Sequence, residues 1–338
     1  MKVLLVGGGG FMGTRTARLM RDAGHDVTVL TRGSRSLPEG VEALTADRHD
    51  LAALGASLER RRFDFTVDFV AYEAQDVESL LRVPYAALGR YVLISTGQVY
   101  LVTLTDRLPC REEDSDSPLR PEPSAGTDDH GQWTYGVGKR RAERALLALR
   151  ASHGVRSLIL RLPIVQGEGD PSLRLWGWLE RMLDGGPVLV PDGGTQPLRF
   201  LYAGDVARAL LQLLVQGPPR GVVYNLAQPD LVTLRDFLER VARCAGLSPR
   251  FVDVPWEGLE AAGVGRWEVP YAGPWSSVLE PARALGDWGF EATRADDYLP
   301  AVVRWHLENR PARSHRGYAA RPRELALAER LQAARGPA

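Results

Sequence analysis

The sequence has little cysteine, almost no lysine and no net charge. Only Cys110 and Cys244 are present, far apart and outside any CxxC spacing, and the six histidines are scattered. This pattern argues against a disulfide framework and against a metal site. The 42 Lys and Arg residues balance the 42 Asp and Glu residues. A formal net charge of zero argues against a nucleic-acid partner, because a dedicated nucleic-acid binder normally carries a basic field.

Long hydrophobic runs are missing as well. No stretch approaches the roughly 18 apolar residues of a membrane helix, and the first residues show no cleavable signal pattern. We therefore expect a cytoplasmic protein without a membrane partner. With 338 residues, of which 44% are hydrophobic and 25% charged, the chain is long enough for one sizeable α/β core and a smaller lobe.

The scarcity of lysine makes the position of Lys139 informative. Lys139 is one of only two lysines beside forty arginines, and it follows Tyr135 by four residues in Tyr135-Gly-Val-Gly-Lys139. Residues four apart share one face of a helix, so the ammonium can stabilise a phenolate at Tyr135. Such a pair can donate and accept a proton near neutral pH. A lone YxxxK spacing also arises by chance on surface helices, so its weight depends on the rest of the chain.

Near its start the chain runs from an apolar strand pattern at residues 3–6 into spaced glycines and then a helical pattern. Glycines at this spacing allow a tight turn, close approach of the backbone to a pyrophosphate, and close packing of the helix on the strand. The helix N-terminus supplies unpaired N–H groups for the phosphates. The residues predicted to contact a dinucleotide here are Gly7, Gly10, Phe11, Met12 and Gly13.

The spacing Gly7-x-x-Gly10-x-x-Gly13, taken with the YxxxK pair, resembles the extended short-chain dehydrogenase/reductases, the NAD(P)-dependent epimerase/dehydratase family. Further segments that resemble the family's motifs are Tyr91-Val-Leu-Ile-Ser-Thr-Gly-Gln-Val-Tyr100, Leu160-Arg-Leu-Pro163 and Arg199-Phe-Leu-Tyr-Ala-Gly-Asp205. The ordered match covers residues 1–230 and is looser up to 310. The resemblance implies a Rossmann-type, doubly wound parallel α/β sheet with a smaller C-terminal substrate lobe.

Strand and helix patterns divide the chain into three parts. The predicted parts are a dinucleotide-binding domain at 1–165 to which 197–228 returns, a substrate lobe mainly at 166–310, and a basic tail at 311–338. Within the first part we expect strands near 2–6, 26–30, 41–45, 66–70, 91–95 and 157–161, and helices near 13–23, 73–82 and 134–152. The acidic, proline-rich segment 104–129 is predicted to be a surface loop, with solvation favoured over substrate gating. The tail is predicted to be solvated or an oligomer contact, in preference to an anion-binding segment, with a short helix from Arg323 to Arg335.

The resemblance assigns catalytic roles to Thr96, Tyr135 and Lys139. Tyr135 would exchange a proton with the reacting oxygen, and Thr96 would hydrogen-bond the same oxygen. Lys139 would lower the pKa of Tyr135 and hold the nicotinamide ribose. Ser95 is the alternative hydroxyl, because adjacent strand residues face opposite ways.

The end of the second predicted strand indicates the cofactor. Members of the family that prefer NAD carry an aspartate near the position of Thr31, and that acid is missing here. Arg32 and Arg35 instead offer guanidinium groups for a 2′-phosphate, which predicts NADP(H) in preference to NAD(H). Other cofactor contacts implied by the resemblance are Asp47 at the adenine, the backbone of Ala71, and Pro163.

The implied function is hydride transfer at a carbonyl or secondary alcohol carbon of a small molecule. A nucleotide sugar is one candidate, because Arg199 resembles the family's diphosphate contact. Gly97 and Gln98 stand where the family's dehydratases carry an acid after the threonine, so simple redox chemistry is favoured. Two alternatives stay open. One is a nucleotide-sugar 4-epimerase with retained NAD, and the other is a non-catalytic dinucleotide- or RNA-binding protein on the same scaffold.

The predicted helix that carries Tyr135 has a second apolar edge, formed by Ala142, Ala145, Leu146 and Leu149. Family members pair this helix across a two-fold axis, so the resemblance predicts a homodimer.

Overall fold

The computed structural model describes residues 1–33, 36–83 and 85–334. The chain divides into two compact units. Unit 1 contains Met1–Val165, Leu201–Ala227 and Ser277–Ala292. Unit 2 contains Gln166–Phe200, Gln228–Ser276 and the described residues from Thr293 onward.

The strands are β1 (Lys2–Val6), β2 (Asp26–Thr31), β3 (Glu42–Thr45), β4 (Phe65–Asp68), β5 (Arg90–Thr96), β6 (Ser157–Leu162), β7 (Ile164–Gln166), β8 (Val188–Pro191), β9 (Pro197–Leu198), β10 (Phe200–Tyr202), β11 (Val223–Asn225), β12 (Val232–Thr233) and β13 (Phe251–Val254). The α-helices are α1 (Phe11–Asp22), α2 (Leu51–Leu58), α3 (Ala74–Leu81), α4 (Tyr85–Leu88), α5 (Gln98–Leu101), α6 (Asp128–His153), α7 (Arg174–Leu183), α8 (Ala203–Gln216), α9 (Leu234–Ala245), α10 (Trp256–Ala261), α11 (Ala282–Trp288), α12 (Ala295–Glu308) and α13 (Arg321–Ala334). Short 3₁₀ helices lie at Glu112–Asp116, Asp192–Gly194 and Arg316–Ala320.

Seven parallel strands form the central sheet of unit 1, in the order β11-β6-β5-β4-β1-β2-β3. Chain order runs outward on either side of β1, so the carboxyl ends of β1 and β4 meet at a topological switch point, where open α/β sheets bind ligands. The six predicted strands overlap β1 to β6. The expected doubly wound parallel fold is confirmed.

Strand β1 explains why the first apolar run does not alternate with polar residues. Val3 and Leu5 belong to the apolar cluster on one side of the sheet, whereas Leu4 and Val6 belong to the cluster on the other. All four side chains are buried. A parallel sheet covered by helices on both faces requires a continuous apolar strand of this kind.

Helix α6 begins earlier than the predicted boundary at residue 134. The side chain of Thr127 accepts a hydrogen bond from the backbone N–H of His130 at 3.1 Å, and Asp128 and Asp129 occupy the first turn. A hydroxyl cap and acidic residues both stabilise a helix N-terminus. The helix ends at Gly154, whose φ of 66° is the left-handed conformation that favours glycine.

The acidic segment before α6 is more than a solvated loop. The side chains of Glu112 and Ser115 are buried, and Arg161 donates hydrogen bonds to the Glu112 carbonyl at 2.7 Å and the Ser115 hydroxyl at 2.9 Å. The prediction of solvation is therefore wrong for this part, because the buried guanidinium of Arg161 draws these acceptors inward.

Unit 2 contains two small sheets, a parallel pair of β8 with β13 and an antiparallel pair of β9 with β12. Its C-terminal helix α13, in the segment predicted to be a basic tail, is anchored to the C-terminal end of α7 by two ion pairs, of which the Arg181–Glu324 pair is buried. Arg181 contacts Glu324 at 2.7 Å, and Arg321 contacts Asp184 at 2.6 Å. These pairs show that the described part of the segment packs within the unit and is not a solvated tail.

Candidate active site

The three glycines of the first loop meet different steric demands. Gly7 has a φ of 75°, and a Cβ there would lie 2.5 Å from a methyl carbon of Val70. A Cβ at Gly13 would lie 2.5 Å from the Cα of Gly8. At Gly10 the nearest atom would be 3.5 Å away, an ordinary contact. The fold itself therefore requires the first and third glycines, whereas the second leaves space at the N-terminus of α1 that suits a phosphate group.

Two adjacent hydroxyls at the end of β5 have different partners. The buried Ser95 hydroxyl donates to the carboxylate of Glu143, and strand register places Ser95 beside Arg161. Thr96 is only half-buried, and its hydroxyl oxygen accepts a hydrogen bond from the backbone N–H of Gln98 at 3.2 Å. Ser95 is thus part of a buried network, while Thr96 lies at the more open strand end.

The ammonium of Lys139 ties α6 to two elements of the sheet edge. Its Nζ atom donates to the carbonyl oxygens of Ala71 and Ile94, each at 2.7 Å, and the residue is only 2% exposed. An ammonium group has three protons to donate. Two are used by these carbonyls, so one remains for a ligand.

Burial has a measurable electrostatic effect on Lys139. Loss of hydration lowers the pKa of its ammonium to about 8, although the carboxylates of Asp68 and Glu143 oppose the shift. The group therefore remains mostly protonated at neutral pH. A buried positive charge stands four residues from the phenol of Tyr135.

Tyr135 is 38% exposed, in contrast to Lys139 on the same helix. A second tyrosine, Tyr72, approaches both. Its ring centroid lies 6.2 Å from that of Tyr135 and 5.7 Å from the Nζ atom of Lys139. Sequence reasoning missed Tyr72, although its position directly after Ala71 was a usable signal.

The loop that carries Ala71 is held by a buried charged network. The Asp68 carboxylate, at the end of β4, accepts hydrogen bonds from Arg48 at 2.8 and 3.1 Å, from the Tyr91 hydroxyl at 2.7 Å and from the Val70 N–H at 2.9 Å. Burial alone would raise the pKa of Asp68, but the Arg48 guanidinium outweighs it and holds the pKa below its usual value. The signal for this network in the sequence is the position of Asp68, an acidic residue at the end of the apolar strand β4.

Asp76 completes this support at the N-terminus of α3. Its carboxylate accepts from the backbone N–H groups of Tyr72 at 2.7 Å and Glu73 at 2.9 Å, and lies 3.4 Å from the Arg48 Nε atom. Arg48 also donates to the backbone carbonyl of Asp76. The loop from β4 to α3 is therefore fixed at both ends, and with it the carbonyl that binds Lys139.

A second network lies on the other side of Lys139. The Glu143 carboxylate pairs with Arg161 at 2.6 Å, and both side chains are buried. Arg161 also donates to the Tyr100 hydroxyl at 2.9 Å. Sequence reasoning missed this pair, although Tyr135, Lys139 and Glu143 recur every four residues along one helix face.

The two glycines inside the YxxxK motif permit the close approach of α6. A Cβ at Gly136 would lie 2.6 Å from a methyl carbon of Val102, and one at Gly138 would lie 2.6 Å from the Tyr72 carbonyl oxygen. Larger residues would push the helix away from α5 and from the β4–α3 loop. The glycines thus help to place the Tyr135 and Lys139 side chains.

The other residues predicted for the site have varied surroundings. Arg32 is exposed directly after β2, while Arg35 lies outside the described residues. Asp47 is exposed and accepts from the His49 N–H at 2.9 Å. Pro163 is buried between β6 and β7.

At the first turn of α1, the Phe11 ring lies 4.9 Å from the Arg15 guanidinium, and Met12 packs on the core. Arg199 belongs to unit 2, where its Nη2 atom lies 3.5 Å from the Pro229 carbonyl.

The described residues contain no group of three or more His, Cys, Asp or Glu side chains placed to hold a metal ion. Within the same part of the chain, no helix is long and apolar enough to cross a membrane.

Comparison with known proteins identifies the family to which the chain belongs. Residues 3–227 match the model of the NAD dependent epimerase/dehydratase family. The chain is 29% identical to 2'-dehydrokanamycin reductase of Streptomyces kanamyceticus over 79% of this chain and 76% of that protein. It is 26% identical to the chloroplast stem-loop binding protein of 41 kDa b of Arabidopsis thaliana over 72% of this chain and 63% of that protein.

A solved structure of UDP-glucose 4-epimerase from Thermus thermophilus, in complex with NAD, has the same fold. It superposes with a TM-score of 0.68 at 21% identity, covering 92% of this chain and 100% of that chain. The resemblance seen in the motifs is confirmed. With its switch-point glycine loop and its parallel sheet, the chain belongs to the NAD dependent epimerase/dehydratase family and is an NAD(P)-dependent enzyme.

Proposed function

We propose that Tyr135 is the proton donor and acceptor in a hydride transfer between a nicotinamide dinucleotide and the carbonyl or secondary alcohol carbon of a small molecule. The observation that carries the proposal is the buried ammonium of Lys139, held by two carbonyl oxygens, one helical turn from the half-exposed phenol. A fixed positive charge at this position stabilises the phenolate form of Tyr135, which helps the side chain to give up and take back a proton.

When bound, the dinucleotide supplies or accepts the hydride. The chain's own residues then manage the charge that develops on the substrate oxygen. Tyr135 gives that oxygen a proton in reduction and takes one in oxidation, while the hydroxyl of Thr96 donates a hydrogen bond to it. The third proton of Lys139 would hold a ribose hydroxyl of the dinucleotide.

Thr96 is favoured over Ser95 for this role. The Ser95 hydroxyl is committed to the Glu143 carboxylate, which is itself paired with Arg161. Turning the Ser95 hydroxyl toward a substrate would remove one hydrogen-bond donor from the buried Glu143 carboxylate. Thr96 requires no such loss.

NADP(H) is the proposed cofactor. Thr31 ends β2 without a carboxylate to accept from ribose hydroxyls, and the next residue, Arg32, is exposed and can reach a 2′-phosphate. The residues proposed to contact the dinucleotide are Gly7, Gly10, Phe11, Met12, Gly13, Arg32, Asp47, Ala71, Tyr135, Lys139 and Pro163.

Net reduction is favoured over epimerisation, because the relative with 29% identity is a reductase, whereas the likeness to the epimerase structure is one of fold. A nucleotide sugar stays a candidate substrate, with Arg199 as its diphosphate contact. The chloroplast relative is named as a stem-loop binding protein, which keeps the RNA-binding alternative open. The retained Thr96, Tyr135 and Lys139 and the zero net charge favour an enzyme.

The helix edge that was expected to form the homodimer contact is largely buried within unit 1. Ala142 and Leu146 are fully buried in the core of unit 1, and Leu149 packs against the same cluster. Three of the four residues of the apolar edge thus pack within unit 1, Ala145 is partly exposed, and the homodimer is supported by the family resemblance alone. A monomeric mass by light scattering would contradict it. A cytoplasmic location also stays a prediction from the sequence.

The test begins with native mass spectrometry of the purified protein, because retained NAD would support the epimerase and readily lost NADP(H) the reductase. Ketones, keto sugars and sugar nucleotides are then screened by nicotinamide absorbance and product analysis. Tyr135→Phe should bind the dinucleotide normally but lose turnover by about a hundredfold to ten-thousandfold. Tyr72→Phe keeps the ring that contacts Tyr135 and Lys139 and loses only the hydroxyl, so it is the matched control and should stay active. Full activity of Tyr135→Phe would refute the assignment.

A further inference from the structure

A cavity of about 370 Å³ lies in unit 1, along α2 and beside the C-terminal end of α3. The C-terminal ends of these helices return the chain to the amino edge of the parallel sheet. The candidate active site lies at the opposite edge, where Asp68 ends β4. Small-molecule sites in proteins have volumes of about 300–1,000 Å³. The cavity is therefore large enough for a ligand and is separate from the candidate active site.

One wall of the cavity is apolar and is formed by a single face of α2. The helix contributes residues at positions i, i+3, i+4 and i+7, namely Leu51, Leu54, Gly55 and Leu58. Leu54 and Leu58 are each 1% exposed and belong to the core, whereas Leu51 is 43% exposed. A Cβ at Gly55 would have no atom within 4 Å. This face of α2 therefore borders open space bounded by leucine side chains.

The other wall carries a concentration of positive charge. Four arginines line the cavity, namely Arg60, Arg61, Arg62 and Arg82. Arg61 pairs with Glu42 at 2.8 Å, while the other three guanidinium groups have no ion pair among the described residues. Glu59 supplies the single carboxylate of the lining. Even with Glu42 counted, four positive charges face two negative ones, which creates a local positive field.

Arg60 occupies a turn position that favours glycine. The turn is closed by a hydrogen bond from the Arg61 N–H to the Leu58 carbonyl at 3.1 Å. Glu59 has a φ of −56° and a ψ of 133°, and Arg60 has a φ of 61°, as in a type II turn. Its third position favours glycine because a side chain there is strained. Strained residues of this kind cluster at functional sites, including those that clamp ligands.

The two walls together match a ligand that has two chemically different parts. Guanidinium groups bind carboxylates and phosphates through paired hydrogen bonds. Leucine side chains gain free energy when an apolar group displaces water from them. We propose that this cavity binds an amphiphilic anion, with a carboxylate or phosphate head group at the arginines and an apolar body along α2. A medium-chain fatty acid has this chemistry. The site is additional to the proposed hydride transfer and does not depend on it.

The first test measures binding by isothermal titration calorimetry, with the protein saturated by dinucleotide so that the cofactor site is filled. The probes are decanoate and decyl phosphate, which differ in their head group. Decanol, without charge, and acetate, without an apolar body, are the controls. At least one of the two amphiphilic anions should bind about tenfold or more tightly than either control. Absence of binding by both anions, or equal binding of decanol, would overturn the proposal.

The second test places the ligand in the cavity by filling the space beside α2. Gly55→Leu should weaken binding of the amphiphilic anion by at least about tenfold, because the new side chain takes the place of the apolar body. Gly286→Leu is the matched control, since Gly286 is an exposed glycine of α11 whose Cβ position is also open. Both variants should keep or raise the Tm, because glycine is a poor helix former. Equal affinities in the two variants would overturn the proposal.

The third test separates the role of Arg60 from general attraction by positive charge. Arg60→Gly relieves the strained φ, so the Tm should stay the same or rise, while affinity for the anion should fall about threefold to tenfold. Arg243→Gln removes the same charge from an exposed position in α9 and should bind the anion normally. Unchanged affinity in Arg60→Gly, or an equal loss in Arg243→Gln, would contradict an anion held at this turn.

Discussion

Two regions of the molecule treat buried polar groups in opposite ways. At the edge of the unit 1 sheet, the buried charges of Asp68, Lys139 and Glu143 all have close partners. Around the Gln166–Trp176 segment of unit 2, neutral polar side chains are equally buried but have no hydrogen-bond partner among the described residues, as at Tyr271.

Groups that stabilise developing charge work best when their positions are fixed before the substrate arrives, which requires partners within the protein. Pairing therefore fixes the charged groups at the unit 1 edge before a substrate arrives, whereas the polar atoms of unit 2 that have no partner among the described residues cost the folded protein stability.

The largest effect should come from breaking a pair at the unit 1 edge. Glu143→Ala leaves the Arg161 guanidinium buried without its carboxylate, which should lower the free energy of unfolding by about 3–5 kcal/mol. Gln166→Leu, a change of similar size in the unit 2 segment, removes only unpartnered atoms and should be nearly neutral. Urea unfolding of both variants measures the difference. Equal losses would abolish the comparison.

Lys139 tests how well the unit 1 edge compensates a buried charge. Its pKa is about 8 in the folded chain against 10.5 for an ordinary lysine, with desolvation as the main cause. Between these values the unfolded chain binds more protons, so stability rises with pH. Relative to Lys139→Met, the protein should gain on the order of 3 kcal/mol as the pH rises from 8 to 10.5. A difference that does not change with pH would show that the ammonium is fully compensated.

Arg32 lies outside both regions, on the surface after β2. If it binds the 2′-phosphate, Arg32→Ala should weaken NADP(H) by about 1.5–3 kcal/mol, or roughly tenfold to a hundredfold, and leave NAD(H) unchanged. Titration of both dinucleotides, together with a urea control for unchanged stability, measures this. Tighter binding of NAD(H) by the unaltered protein would contradict the cofactor proposal.

The smallest effect concerns the packing of α6. A Cβ at Gly138 would meet the Tyr72 carbonyl, so Gly138→Ala should cost about 1–3 kcal/mol of stability and lower turnover by displacing Lys139. Gly131, in the same helix, has open space at its Cβ position. Gly131→Ala should therefore stabilise the protein by about 0.5–1 kcal/mol. Matching behaviour of the two variants would remove the steric argument.

Several features could be predicted from the sequence because they depend on short segments. The left-handed φ of Gly7 and the close approach of Gly13 to Gly8 are local demands, and the apolar run of β1 reflects burial on both faces of the sheet. The spacing of Tyr135 and Lys139 specifies one helix face without knowledge of anything distant. These signals were sufficient for the parallel sheet and the family.

Only the tertiary structure decided how the polar groups are paired. Arg48 and Asp68 are 20 positions apart, and Arg161 lies 61 positions from Tyr100, so their contacts depend on which strands become neighbours. The burial of Ala142 and Leu146 inside unit 1 likewise could not be distinguished from a dimer surface by periodicity alone. The same holds for the Tyr271 hydroxyl, which is buried without a hydrogen-bond partner among the described residues because segments far apart in the chain pack around it. Local sequence specifies backbone shape and side-chain period, but the partner of a buried polar atom is set by long-range packing.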